Sequence, residues 1–210
     1  MLVGKHYQNG YVCDDIEVAL AQFRARGLDK DPMIIPVDQM VDTPDGPKRH
    51  KLRICMFWLN GVQYELIQPE IDETGHYSNA QENGGPMRFH HICLRVDDWA
   101  AFRKAVDEQD LPLVFERDLG PDALRFCYLD ARKAFGHYLE YTHMSDEMWE
   151  RMNASLRAGR KVSGNRGRVR PARFPAAGRR RRDRAWCAAS ACARRRSLPA
   201  PDPRPSVPGH

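Results

Sequence analysis

The chain contains one unit written twice, and that duplication limits its fold more than any other feature. Residues 8–15 read "QNGYVCDD" and residues 91–98 read "HICLRVDD". Each starts on a side chain able to bind a metal, Gln8 or His91, and runs to a paired aspartate. Helix-like segments follow, "IEVALAQFRARGL" and "WAAFRKAVDEQDL". In them Ile16, Ala19, Leu20 and Phe23, and Trp99, Phe102 and Val106, keep the spacing of an amphipathic helix. Asp15 and Asp98 stand where a short carboxylate accepts from the first unpaired backbone N–H groups, so the double aspartates read as caps rather than metal ligands.

Strand-like runs come next in both copies. The first has "MIIPV", "HKLRICMFWL" and "VQYELIQP", with Asn60-Gly61 as a hairpin turn. The second has "LPLVFER", "ALRFCYLD" and "GHYLEYTH". Glu65 in "YELIQ" matches Glu140 in "YLEYT", each a single carboxylate inside an apolar strand. His91 follows Gln8 by 83 residues but Glu140 follows Glu65 by only 75, and the turn-rich loop "DQMVDTPDGPKRH" is expected to absorb the difference. The expected fold is α+β: two tandem βαβββ modules, about residues 5–70 and 88–145, pairing into one curved-sheet domain over residues 5–145. A C-terminal helix is expected over residues 146–158.

Charge separates this body from the C-terminal quarter of the chain. From Arg160 onward lie 15 of the 33 Lys and Arg but only Asp183 and Asp202 of the 28 acidic residues, so the remainder carries a net charge of about −8. Residues 159–210, rich in Arg, Pro and Ala without a hydrophobic period, are read as a disordered tail. Phe174 and Trp186 are too sparse for a stacking platform, so no specific nucleic-acid partner is expected. No apolar run follows a basic start, and "ICMFWL" is too short to span a bilayer, so neither a secretory leader nor a membrane partner is expected. Six cysteines without a CxxC pair, four of them inside apolar runs, suit free thiols in a reducing cytoplasm.

The matched carboxylates carry the chemistry. A glutamate amid Tyr64, Leu66 and Ile67, or amid Leu139 and Tyr141, is costly to bury without a partner. If the two curved sheets close face to face, equivalent positions meet. Gln8, Glu65, His91 and Glu140 would then offer three oxygens and one nitrogen to a single divalent cation, with positions left for substrate. Strand alternation sets His90 on the face opposite His91, and puts His6 on the face of Gln8 as a reserve ligand. Cys93 and Cys127 read as core thiols. Arg53, Tyr64, Arg88 and Tyr138 are ordinary sheet residues that could line a pocket. "NAQENGGPM", residues 79–87, is a linker between modules rather than a phosphate-binding loop.

Four stretches in order, "QNGYVCDDIEVAL", "YELIQP", "FHHICLRVDD" and "GHYLEY", resemble the vicinal oxygen chelate superfamily, to which glyoxalases, methylmalonyl-CoA epimerases, extradiol dioxygenases and bleomycin-resistance proteins belong. The glyoxalase-like branch, near lactoylglutathione lyases and methylmalonyl-CoA epimerases, is the most similar. The resemblance implies metal ligands at Gln8, Glu65, His91 and Glu140 and one divalent ion (Zn, Ni, Co, Mn or Fe). It implies Glu140 as the catalytic base, with Glu65 as a second acid/base or a permanent ligand. The implied activity is that of a metal-dependent lyase or isomerase. It would remove a proton α to a carbonyl of a small metabolite or thioester through a metal-stabilised enediolate. The alternatives are a ring-cleaving extradiol dioxygenase, which needs a second histidine, and a metal-free small-molecule binding or resistance protein. A homodimer is compatible with all of them, because such modules pair within one chain or across two.

Overall fold

Two side-chain caps start the helices that follow the paired aspartates in the computed structural model, which describes residues 3–120 and 123–157. Asp15 Oδ1 accepts from the backbone N–H of Glu17 at 2.8 Å and opens α1 (Ile16–Arg24); Asp98 Oδ1 accepts from Ala101 N–H at 2.9 Å and opens α2 (Trp99–Asp107). The first module contributes strands β1 (Lys5–Val12), β2 (Met33–Thr43), β3 (Gly46–Leu59) and β4 (Val62–Asp72). The second contributes β5 (Arg88–Arg95), β6 (Leu113–Asp118), β7 (Arg125–Leu129) and β8 (Tyr138–His143). A short helix α3 (Arg132–Phe135), not anticipated from the sequence, precedes β8, and α4 (Asp146–Arg157) comes after it. The readings of residues 159–210, Cys187 and Cys192 included, lie outside the described residues.

The strands close in the order β1-β4-β3-β2-β6-β7-β8-β5. β1 runs parallel to β4 and β5 parallel to β8, while β1 and β5 pair antiparallel and join the modules. α1 covers the outer face of the first module, burying Ile16, Ala19 and Leu20 against Cys55, Phe57 and Leu66. α2 does the same for the second with Trp99, Phe102 and Val106 against Leu94, Leu129 and Leu139. Each such large apolar side chain contributes roughly 1.5–3 kcal/mol on burial. The repeat extends to the joint between modules. Asp14 pairs with Arg88 at 2.7 Å, and its repeat equivalent Asp97 with Lys5 at 3.5 Å.

The loop expected over residues 38–50 is a correction. β2 and β3 pair continuously from Met33↔Met56 to Thr43↔Gly46, leaving Pro44 and Asp45 as the turn. Several of the polar residues that suggested a loop lie on the solvent face of this hairpin, where Asp38 and Arg49 meet at 2.7 Å, while Gln39 faces the cavity and His50 is fully buried. Cys13, Cys55, Cys93 and Cys127 are buried and free. Among the described residues, no helix is long and apolar enough to cross a membrane.

Candidate metal centre

Strict alternation fails at two places on the β1–β5 pair, and both matter to the centre. His6 pairs with Leu94 and Gln8 with Cys93, so Tyr7 is an inserted residue; Gly10 pairs with His91 and Tyr11 with Phe89, so His90 is another. Such bulges re-aim side chains. Tyr7 and His90 hold equivalent positions in the two repeats, so the irregularity is itself duplicated. His6 consequently leaves the face of Gln8. It is exposed, with Nε2 3.1 Å from the backbone oxygen of Gln8 and 3.0 Å from Asn9 Oδ1.

His90 is not on an outer face, as alternation had placed it. It is 2 % exposed, packed against His76, Tyr77 and Tyr138 beside the fully buried His91. Its Nε2 lies 3.3 Å from the backbone oxygen of His76, which only accepts, so that nitrogen carries the proton. Burial, and next the neighbouring His91, hold His90 well below the usual imidazole range and keep it neutral. Its Nδ1 therefore accepts from His91 Nδ1, 3.0 Å away. A neutral His91 then has its lone pair on Nε2.

That Nε2 faces both carboxylates, 3.0 Å from Glu140 Oε2 and 3.4 Å from Glu65 Oε2. All three residues are buried, and their ligand-type atoms lie within 4.8 Å of one another. The contacts are close but not aligned as hydrogen bonds: His91 Nε2, Glu65 Oε2 and Glu140 Oε2 are each buried without a hydrogen-bond partner. Burial works to depress His91, yet Glu140 and Glu65 outweigh it and lift the imidazole to about 9. Burial, opposed by His91 and reinforced by the charge of Glu140, raises Glu65. Two buried carboxylates therefore demand a cation, and in the protein alone the imidazolium supplies it. Two oxygens and one imidazole nitrogen, unpartnered and converging, suit a divalent ion of hard to borderline character.

Gln8 is buried on the same cavity wall, but its immediate partner is Gln63, whose Oε1 accepts from Gln8 Nε2 at 2.6 Å. Gln63 was not singled out in the sequence as a site residue, although its spacing from Glu65 puts both on one strand face. A second missed residue is Gly10. A Cβ there would lie 1.9 Å from His91 Cε1, so the imidazole rests directly on the glycine. A glycine inside a strand was the available signal. The other pocket candidates are engaged elsewhere. Arg88 binds Asp14, Arg53 approaches Gln68, and Tyr64 packs on the α1 side with Phe23 and Phe57. Tyr138 packs against His76 and His90.

Glu65, Glu140, Gln8 and Gln63 open onto a cavity of about 270 Å³ inside the barrel. Tyr7 lies beside them, its hydroxyl 3.1 Å from Thr142 Oγ1 and 3.3 Å from Cys93 Sγ. His91 does not line the cavity and stands behind the two carboxylates.

The model of the glyoxalase/bleomycin resistance protein/dioxygenase superfamily matches residues 7–128. Among solved structures, a hypothetical protein of Bacillus halodurans C-125 is similar at 17% identity, with 69% of this chain and 97% of that one covered and a TM-score of 0.46. A methylmalonyl-CoA epimerase from Mycobacterium tuberculosis is similar at 18% identity, covering 71% and 96%, with a TM-score of 0.45. A Streptomyces coelicolor methylmalonyl-CoA epimerase variant in complex with 2-nitronate-propionyl-CoA is similar at 15% identity, covering 69% and 99%, with a TM-score of 0.44. No curated protein matches the chain by sequence.

Proposed function

The chain belongs to the glyoxalase/bleomycin resistance protein/dioxygenase superfamily, and from that premise we propose that it is a metal-dependent isomerase or lyase acting on a small carbonyl compound. The observation that carries this reading is the convergence of three buried, unpartnered atoms, on Glu65, His91 and Glu140, at the wall of a cavity. Glu65, His91 and Glu140 would hold the ion, and Gln8, whose Nε2 is taken by Gln63, would offer its Oε1 as the fourth donor. A divalent ion bound there would polarise a substrate carbonyl and acidify the neighbouring C–H.

The chain's own residues would then move the proton. Glu140 accepts it from the α-carbon. Glu65, from the other module but lining the same cavity, is placed to return a proton from a different side. His91, behind both, stays fixed by His90. A ring-cleaving dioxygenase would need a second histidine at the ion. His90 is a poor candidate, because its nitrogens already face His91 and the His76 carbonyl. Four buried free thiols fit a reducing compartment, and the proposal places the protein in the cytoplasm, with a small molecule as its partner.

The test combines metal analysis with one substitution. The purified chain should carry about one divalent ion per molecule. Glu140→Gln keeps shape and an oxygen donor but cannot take the proton. Exchange of a substrate α-proton with solvent deuterium should then fall by about 10²–10⁴-fold while metal is retained. Undiminished exchange in a metal-loaded Glu140→Gln protein would remove Glu140 from the mechanism.

A further inference from the structure

The cavity differs sharply in character from the site at its wall. Beyond the carboxylates and the uncharged polar side chains of Gln8, Gln39, Gln63 and Thr142, its lining is aliphatic, aromatic and thioether, with Ile35, Leu52, Ile54 and Phe126 as representative walls. Met33, Met56, Met144 and Met152 also line it, the last from α4. Methionines make a pliable apolar wall that adapts to ligand shape. Among the described residues, no lysine, arginine or histidine lines it. Of the lysine and arginine side chains adjacent in sequence to lining residues, Lys51 pairs with Glu70, Arg53 lies beside Gln68, Arg125 pairs with Asp118, and Arg151 is exposed.

This lining sets a charge condition. Glu65 and Glu140 already bring two negative charges, which a dication would only neutralise. A further anionic group on a ligand would enter apolar surroundings with no counter-charge, which burial in low dielectric strongly disfavours. The size condition is looser. An apolar cavity of about 150 Å³ holds a benzene ring, and this one has about 270 Å³. One polar group remains to be matched: Gln63 Nε2 is fully buried without a partner. Reversing both amides of the Gln8–Gln63 pair would only transfer the free NH₂ to Gln8.

We propose that the lumen takes an uncharged aryl or branched-alkyl group, attached to the reacting carbonyl, and rejects ligands bearing a carboxylate on that group. The free glutamine N–H donates to an oxygen of the ligand next to the carboxylates. This inference rests on the reading of the site as a metal centre only for where the carbonyl points. The apolar group is selected by the lumen itself.

The experiment uses the full chain, both zinc-loaded and EDTA-treated, with methyl naphthyl ketone and its ring-carboxylated analogue as probes and binding read by ligand fluorescence. The neutral ketone is expected to bind both forms, and the carboxylated one at least about tenfold more weakly. That ratio corresponds to about 1.4 kcal/mol. Ile54→Trp, which fills the lumen, should abolish binding of the neutral ketone. Equal affinity for the two ketones, or preference for the carboxylate, on the unsubstituted chain overturns the inference whatever the variant does. A chain that takes up no zinc yet keeps the preference would sink the metal-centre reading and leave the lumen assignment standing.

Discussion

His91 reaches the two carboxylates because Gly10 has no side chain, and it presents Nε2 to them because His90 holds Nδ1. Each support can be removed separately. Gly10→Ala places a methyl group inside the space of the imidazole, so metal content should drop to the level of His91→Ala. Circular dichroism should meanwhile report an intact fold. Full occupancy in the Gly10→Ala protein would mean that His91 is not held where the structure puts it. His90→Ala leaves His91 Nδ1 without its acceptor. Loss of such a supporting contact usually lowers metal affinity by about 10–100-fold. His90→Gln, with an oxygen to accept and an amide to donate, should recover part of it. Calorimetric zinc affinities unchanged in His90→Ala would remove that residue from the support of the centre.

At the scale of elements, the end of β4 organises one end of the barrel. Asp72 accepts from Thr74 Oγ1 at 2.6 Å and from the backbone N–H of Tyr77 at 2.9 Å, and lies 3.3 Å from His50 Nε2. These contacts hold the turn at Tyr77–Asn79, and with it His76, beneath His90. Burial works to raise the Asp72 carboxyl, but His50, Thr74 and the Tyr77 N–H outweigh it and bring it down to about 2. A depressed carboxyl stabilises the fold at pH values above its unfolded value, near 4, and loses that contribution as pH falls through about 2. After allowance for partial exposure the contribution is about 1–2 kcal/mol. Asp72→Asn should be less stable than the parent by that amount at neutral pH, and the gap should narrow below pH ~4 and close near pH ~2 in urea unfolding. A gap independent of pH would contradict the assignment.

For the whole molecule, the deciding fact is that the barrel closes within one chain. β1 and β5 pair with each other, and β2 meets β6 at Asp42↔Glu116, so both modules of one molecule build the centre. Glu65 comes from one module, His91 and Glu140 from the other. Metal stoichiometry should therefore stay at one per chain when the protein is diluted until it sediments as a monomer. Loss of metal in step with dissociation would show that a second copy completes the site.

What was legible in the sequence is what local pattern controls. The repeat, the capping aspartates, the helix starts and the strands carrying Glu65, His91 and Glu140 all come from spacing along a single segment. The burial of Glu65 and Glu140 does too, since a lone carboxylate in an apolar strand implies an enclosed partner. Tertiary structure alone decided the rest. A bulge exists only relative to the strand opposite, so nothing within "FHHICL" reveals that His90 turns inward beside His91. The contact of Gly10 with His91 and the pairing of Gln8 with Gln63 join residues far apart in the chain. The turn-rich run before His50 became a hairpin because paired strands could satisfy its backbone, which its composition did not announce. The lack of lysine, arginine and histidine in the lumen, among the described residues, is likewise a property of inward faces from both modules. It emerges only when closure selects which half of each strand's side chains meet, and that selection is set by long-range register rather than by any one segment.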